Sequence, residues 1–185
     1  YVQLDEVPLI MLANPEIRAR VTAFGADPAR LISLYIESLN QALADRPPDM
    51  TAALHICRGN FKGKWLTEGG YDEIAEAVFQ SVDVDGFFLE FDTQRAGGLE
   101  VLRHVPAGKR VVLGLVSSKI PQLEDLSVIR RRIEEATRYR PLESLSISPQ
   151  CGFASTVAGN PITEEDQIEK LNALVQLAGE IWESD

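Results

Sequence analysis

The chain has 185 residues, of which 45% are hydrophobic and 25% are charged. This balance fits a folded domain with a sizeable core and excludes a disordered or collagen-like chain. The 28 acidic and 18 basic residues give a net charge of −10 at pH 7, which opposes binding to nucleic acid or to an anionic membrane surface. No run approaches the roughly 18 apolar residues of a membrane span, and the N-terminus lacks a signal-peptide pattern. We therefore expect a cytoplasmic protein without nucleic-acid or membrane partners.

Five short apolar runs, each bounded by polar or Gly/Pro-containing segments, are typical of strands that are covered on both faces. They span residues 1–6, 52–57, 86–91, 110–116 and 145–147. The segments between them carry helical periodicity. This alternation predicts parallel β/α units in an α/β fold.

The segment after the first predicted strand contains a helix start at Asp27-Pro28, where an N-cap residue precedes Pro at the first helical position. The apolar residues of this helix recur at helical spacing at Ile32, Tyr35, Ile36, Leu39 and Leu43. Pro47-Pro48 then ends it. The same spacing predicts two further helices, one through Tyr71, Ile74, Ala75, Val78 and Val82, and one through Ile129, Ile133 and Ala136.

The last helix is predicted to begin at Thr163, with Asp166 three residues later as its capping-box partner. We expect its apolar stripe to face the core. The members of this stripe are Ile168, Leu171, Val175, Ala178 and Trp182. No internal repeat or linker interrupts the chain, so we expect residues 1–185 to belong to one domain.

Residues that can carry chemistry stand where the predicted strands end, which is where the functional groups of parallel β/α folds gather. His55 and Cys57 are two positions apart near the end of the second strand, so their side chains project from the same side. Glu90 and Asp92 stand at the end of the third strand, and Cys151 lies in the turn after the fifth. We expect these side chains to meet at one edge of the sheet.

These residue types predict a zinc site. His55, Cys57, Cys151 and a carboxylate, best supplied by Glu90, would offer one nitrogen, two sulfurs and one oxygen, which Zn²⁺ accepts. Two thiolates argue against Mg²⁺ and Ca²⁺, which require oxygen ligands. A zinc ion held in this way is suited to binding an incoming thiol as its thiolate. The alternative is that each Cys is a small buried apolar residue.

Other polar residues near strand ends are candidates for substrate contacts. Asp5, beside Glu6 at the end of the first strand, could bind a substrate amine, and a Lys or Arg could clamp a carboxylate. The candidates that follow later strands are Arg58, Asn60, Arg95, Ser117, Ser118 and Lys119. For each of them an ordinary role in a loop is the alternative.

Five stretches, in order and over nearly the whole chain, resemble the cobalamin-independent methionine synthase family, in particular its short single-barrel members. The first two are Tyr-Val-Gln-Leu-Asp-Glu (1–6) and Leu-His-Ile-Cys-Arg-Gly-Asn-Phe (54–61). The other three are Phe-Leu-Glu-Phe-Asp (88–92), Leu-Gly-Leu-Val-Ser-Ser-Lys (113–119) and Ser-Pro-Gln-Cys-Gly-Phe (148–153). Their order and coverage make the resemblance specific.

The resemblance implies a barrel of eight β/α units in which zinc is held by His55, Cys57, Glu90 and Cys151. It also implies that Asp5 binds the amine of homocysteine, whose thiolate takes the methyl group of a methyltetrahydrofolate bearing glutamates. The chain is then expected to be a zinc-dependent S-methyltransferase of methionine synthesis. Its partners would be a small-molecule thiol and a methyl donor.

The methyl donor stays open because the fourth and fifth stretches depart from the family pattern. The fourth lacks the Asp-x-His-Ser of the long methionine synthases, and Ala154-Ser155-Thr156 replace the basic residues that usually follow the fifth. Two alternatives therefore remain. One is a thiol alkyl transferase of the epoxide:coenzyme M type, and the other is a barrel homologue that binds a ligand without turnover.

The five predicted strands are too few for a closed barrel of eight, which typically needs about 250 residues. We therefore expect residues 1–185 to be the C-terminal portion of one zinc-binding barrel. Either further residues complete this barrel, or two partial barrels associate as a homo-oligomer and cover the open edges of the sheet.

Overall fold

One parallel sheet of five strands forms the centre of the computed structural model, which describes residues 1–183. The strands are β1 (Val2–Glu6), β2 (Ala52–Ile56), β3 (Gly86–Glu90), β4 (Arg110–Val116) and β5 (Leu145–Pro149). They lie side by side in chain order, and each neighbouring pair is parallel. The predicted α/β class is confirmed, and each predicted strand lies within about two residues of its expected bounds.

Helices fill the connections between the strands. They are α1 (Pro8–Met11), α2 (Pro15–Ala23), α3 (Pro28–Leu43), α4 (Asp72–Ser81), α5 (Leu126–Ala136) and α6 (Glu164–Trp182). Short 3₁₀ turns span Gln94–Ala96, Leu99–His104 and Leu142–Ser144. None of the helices in residues 1–183 has the length and apolar composition needed to cross a membrane.

The helix starts follow the capping residues in the sequence. The Asp27 carboxylate accepts a hydrogen bond from the Ala29 N–H at 2.9 Å, directly before α3. Thr163 and Asp166 form a complete capping box at the start of α6, as predicted. The sequence analysis missed α1 and α2. The helix α1 has only four residues, and α2 buries none of its residues, so neither shows a clear apolar stripe.

The predicted apolar faces of α3, α4 and α5 are buried in one hydrophobic core together with residues of the strands. Their buried members include Ile32, Ile36 and Leu43 in α3, Ile74, Ala75 and Val78 in α4, and Ile129, Ile133 and Ala136 in α5. Aromatic rings fill the space between α4 and β3, where the rings of Phe79 and Phe87 lie 4.9 Å apart. These contacts fix the sheet against its helical layer.

The strand register decides which residues of neighbouring strands lie side by side. Asp5 of β1 pairs with His55 of β2, so the two side chains lie next to each other. Glu90, the last residue of β3, pairs with Gly114 of β4, and Gly114 pairs with Ser148 of β5. Residues that follow these positions are thereby gathered at the carboxyl edge.

The helix α6 buries a different face from the predicted one. Ile168, Leu171 and Val175 are exposed, while Ala178 and Trp182 are only partly buried. The buried residues of α6 are Lys170, Leu174 and Leu177. The prediction of which face of α6 is buried was therefore wrong.

A buried ion pair explains the orientation of α6. The Lys170 ammonium group donates hydrogen bonds to both carboxylate oxygens of Glu124, at 3.0 and 2.9 Å, and to the Gln122 carbonyl. The buried stripe of α6 thus includes a charged residue. A prediction from apolar periodicity chooses the stripe of α6 with more apolar residues. It cannot show that the other stripe is buried with a Lys whose charge is neutralised by an ion pair.

We predict that two leucines of α6 differ sharply in their contribution to stability. Leu174→Ala should lower the free energy of unfolding by about 2–5 kcal/mol, because Leu174 is 5% exposed. The matched variant Leu171→Ala should lower it by less than about 1 kcal/mol, because Leu171 is 37% exposed. Urea titration of both variants measures this difference. Equal losses, or a larger loss for Leu171→Ala, would contradict the observed orientation of α6.

Candidate metal centre

Four ligand-type side chains meet at the carboxyl edge of the sheet. His55 lies in β2, Cys57 follows β2, Glu90 ends β3 and Cys151 follows β5. One ligand atom from each lies within 4.8 Å of the others. The two Sγ atoms are 3.4 Å apart, and His55 Nε2 lies 3.6 Å from Glu90 Oε1. The predicted cluster is thus assembled from three different strands.

The orientation of His55 leaves one ring nitrogen free for a metal. Nδ1 lies 3.1 Å from Asp5 Oδ1, and a proton on Nδ1 would be donated to that carboxylate. Nε2 is buried, and within residues 1–183 it has no hydrogen-bond partner. A carboxylate that holds the far nitrogen of a His is the usual support of a metal-binding imidazole. The arrangement therefore fits Nε2 as a ligand.

The Glu90 carboxylate is wholly buried but remains an anion. Its Oε1 accepts a hydrogen bond from the Arg58 backbone N–H at 3.0 Å, and its Oε2 accepts one from Gln150 Nε2 at 2.9 Å. Burial alone would raise the pKa of Glu90, but the interactions with His55, Arg58 and Gln150 and the charge of Lys119 outweigh it and lower the pKa. A charged oxygen ligand is thus available at neutral pH.

The two thiols have opposite protonation tendencies. The Cys57 S–H stabilises a thiolate on Cys151, which lowers the pKa of Cys151 to about 7 even though burial acts in the other direction. The charges of Lys119 and His55 also lower it. The same hydrogen bond, together with burial, raises the pKa of Cys57. Without a metal, the pair therefore holds its first negative charge on Cys151.

The donor set and its surroundings fit zinc. One imidazole nitrogen, two sulfurs and one carboxylate oxygen form a mixed set that Zn²⁺ binds, whereas Mg²⁺ and Ca²⁺ prefer oxygen alone. Nε2 of His55, which has no hydrogen-bond partner among residues 1–183, and the close pair of sulfurs are both explained if these atoms share a cation. His55, Cys57, Glu90 and Cys151 are the residues that could hold it.

An open cavity of about 570 Å³ lies beside the cluster. His55, Cys57 and Cys151 form part of its wall, together with Asp5, Asn60 and Gln150. A ligand in this cavity would therefore lie next to three of the four ligand-type residues. The volume suffices for a small organic molecule.

Two of the predicted substrate residues, Asp5 and Asn60, line this cavity. The Asp5 side chain is largely exposed, although one oxygen approaches His55. The Asn60 amide donates a hydrogen bond to the Gly152 carbonyl at 3.0 Å, which joins the loops after β2 and β5. Both side chains are therefore placed where a bound molecule could reach them, and their roles stay predictions.

The structure places Arg58, Ser117 and Lys119 outside the residues that line this cavity. Arg58 is fully buried, with its guanidinium group 4.7 Å from the centre of the Tyr71 ring and 3.1 Å from the Ala96 carbonyl. The Ser117 hydroxyl accepts a hydrogen bond from the Lys119 backbone N–H. Substrate contacts by these three side chains stay predictions.

The Lys119 ammonium group is buried, with 2% of the residue exposed. Within residues 1–183 its Nζ atom has no hydrogen-bond partner. Its positive charge lowers the pKa of Glu90 and of Cys151. Lys119 therefore offsets negative charge in the cluster. Its position after β4 in the sequence did not predict this role.

Several supporting residues were missed by the sequence analysis. Glu124 accepts a hydrogen bond from the Ser117 N–H at 2.8 Å and binds Lys170, so the ion pair also fixes the loop after β4. Asn160 accepts from the Gly63 N–H and donates to the Ser118 carbonyl. The polar residues of loops give no periodic signal, so neither contact could be found from spacing.

The sequence and the fold of the chain are similar to those of known proteins. A sequence model of the family described as cobalamin-independent synthase, catalytic domain, matches residues 37–180. YxjG of Bacillus subtilis, described as uncharacterized, is 48% identical over 183 residues, which are 98% of this chain and 48% of YxjG. A methionine synthase from Pyrococcus abyssi is 28% identical over 153 residues, which are 83% of this chain and 36% of that protein.

A solved structure from Listeria monocytogenes, assigned as a vitamin-B12-independent methionine synthase, superposes with a TM-score of 0.74 and 36% sequence identity. The match covers 98% of this chain and 48% of that one. The chain thus spans about half the length of YxjG and of the Listeria protein. This likeness confirms the predicted β/α barrel type of fold.

We predict that the two histidines of the chain differ in their effect on metal binding. His55→Ala should weaken zinc binding by at least about 100-fold, because it removes a ligand rather than a supporting residue. The matched variant His104→Ala should bind zinc as the parent protein does, because His104 lies at the end of a 3₁₀ turn outside the cluster. Competition with a chromophoric chelator measures both affinities. Similar affinities for the two variants would exclude His55 as a ligand.

We also predict a pH-dependent difference between the two cysteines in the metal-free protein. Alkylation requires the thiolate, so the rate at Cys151 should rise through about pH 7. Cys57 should react more slowly throughout, because its pKa is raised and it is buried. Iodoacetamide labelling at a series of pH values, followed by peptide mass spectrometry, measures both rates. A midpoint for Cys151 near its ordinary pKa of 9.0, or faster labelling of Cys57, would contradict this charge distribution.

Proposed function

This chain belongs to the cobalamin-independent synthase family, and we propose that it takes part in zinc-dependent transfer of a methyl group to the thiol of homocysteine. The observation that carries the proposal is the cluster of His55, Cys57, Glu90 and Cys151 beside an open cavity. Membership of the family supports methyl transfer in general.

Each residue of the cluster has a defined task in this proposal. His55 Nε2, the two sulfurs and a Glu90 oxygen would hold the zinc ion, with Asp5 keeping the imidazole in its orientation through Nδ1. When bound, zinc lowers the pKa of a coordinated thiol and keeps the sulfur nucleophilic near neutral pH. Lys119 would offset the negative charge that a further thiolate brings to this site.

Substrate binding is proposed to use the cavity wall. Asp5, exposed and negatively charged, suits the ammonium group of an amino-acid thiol. In the reaction the S–H proton passes to solvent, a sulfur–carbon bond forms, and the bond between the methyl carbon and its donor breaks with the electron pair passing to the donor. Sulfur attacks in line with the breaking bond, so the donor must lie on the open side of the cavity.

We predict that zinc-loaded protein forms methionine from homocysteine when a suitable donor is present. The assay offers methyltetrahydrofolates with one or several glutamates and simple methyl sulfonium compounds, and it detects methionine by mass spectrometry. Cys57→Ser should reduce the rate by on the order of 100-fold or more, because it removes a zinc ligand. His104→Ala should leave the rate unchanged.

Two results of the same assay would contradict methyl transfer. Formation of a thioether from coenzyme M and an epoxide, without methionine from any donor, would identify a thiol alkyl transferase instead. Homocysteine binding to the zinc-loaded protein without product from any donor would identify a binding protein. Either result leaves the metal site itself intact.

A further inference from the structure

Gln150 connects two parts of the site that lie on non-adjacent strands. It follows β5, immediately before Cys151, yet its side-chain amide reaches Glu90 at the end of β3 with a distance of 2.9 Å between Nε2 and Oε2. Only 3% of Gln150 is exposed. The contact therefore crosses over β4, which lies between β3 and β5 in the sheet.

Gly114 provides the space for this crossing. It is the β4 residue that pairs with Glu90 on one side and with Ser148 on the other. A Cβ atom at position 114 would lie 2.8 Å from Gln150 Cα and 3.0 Å from the Leu89 carbonyl oxygen. Real Cβ atoms essentially never approach another atom as closely as 2.8 Å. A side chain at this position would therefore force the backbone at Gln150 to shift.

The chemistry of the pair fixes the direction of the Gln150 amide. Glu90 is a carboxylate with a lowered pKa, so it accepts hydrogen bonds and Nε2 must face it. The other carboxylate oxygen, Oε1, is held by the Arg58 backbone N–H and lies near His55 Nε2. Each oxygen of Glu90 therefore has a separate donor, and the plane of the carboxylate is set by both.

We propose that Gln150 is a positioning residue that holds the Glu90 carboxylate toward the metal ligands, and that Gly114 acts only by admitting it. This inference rests on the metal site of the proposed function. Within residues 1–183, the hydrogen bond from Gln150 to the Glu90 carboxylate can be removed by a side-chain substitution, whereas the bond from Arg58 comes from the backbone. A neutral donor suits the position, since a second carboxylate would repel Glu90.

Three single variants of the full chain test this proposal through zinc affinity, measured by chelator competition. Gln150→Met keeps the shape but removes the donor, and it should weaken zinc binding by about tenfold. Gln150→Glu also adds a negative charge beside Glu90 and should weaken it further. Gly114→Ala should match Gln150→Met. The control Gln41→Met should leave the affinity unchanged, because Gln41 is exposed on α3 and lies outside the cluster.

A double variant separates positioning from general damage. If Gly114 acts through Gln150, then Gly114→Ala combined with Gln150→Met should bind zinc no more weakly than either single variant. The visible absorption of the Co²⁺-loaded protein gives a second readout. Gln150→Met should shift its ligand-field bands, because an unsupported Glu90 oxygen no longer holds its place in the coordination sphere. Gln150→Met also removes a hydrogen bond from the buried Glu90 carboxylate, so the metal-free variant should unfold at a lower temperature than the parent, and zinc affinity is compared where both proteins are folded.

The outcomes distinguish this inference from the proposed function. Unchanged zinc affinity and an unchanged Co²⁺ spectrum in Gln150→Met would overturn the positioning role while leaving the metal site standing. Additive losses in the double variant would overturn the link between Gly114 and Gln150. A parent protein that fails to bind zinc would overturn the metal site and this inference together.

Discussion

The buried carboxylate of Glu90 is the constraint on which the arrangement of the site depends. An anion at the end of a central strand is costly unless hydrogen bonds and opposite charge compensate it. The Arg58 N–H, the Gln150 amide and the nearby Lys119 ammonium provide this compensation, and they come from the loops after β2, β5 and β4 respectively. Residues of three loops at the carboxyl edge thus compensate the charge of this one carboxylate.

The same electrostatic logic links the other ligand-type residues. His55 is held between the carboxylates of Asp5 and Glu90, which raise its pKa although burial acts to lower it. The two thiols share one hydrogen bond, so a charge on one raises the cost of a charge on the other. A divalent cation would stabilise the neutral imidazole and both thiolates together, because these are the protonation states that bind a metal.

The sequence predicted those features that depend on periodicity and on strand ends. His55, Cys57, Glu90 and Cys151 could be grouped because the carboxyl ends of parallel strands meet at one edge. Features that depend on contacts between distant segments could not be predicted. The helix α6 buries the stripe that contains Lys170 instead of its most apolar stripe. Gln150 reaches Glu90 across a position where Gly114 has no side chain. Arg58 shows the same limit, since its guanidinium group packs on Tyr71 inside the protein.

The hydrogen bonds of Asn160 limit how the substrate specificity of this site can be altered. In many β/α folds the loops at the carboxyl edge vary independently, which allows new substrates to be accommodated by altering one loop at a time. Here Asn160, itself in the loop after β5, binds backbone groups of the loops after β2 and β4. Grafting a single loop from a relative would break these bonds. An engineer seeking a different substrate would therefore have to exchange the three loops as one unit.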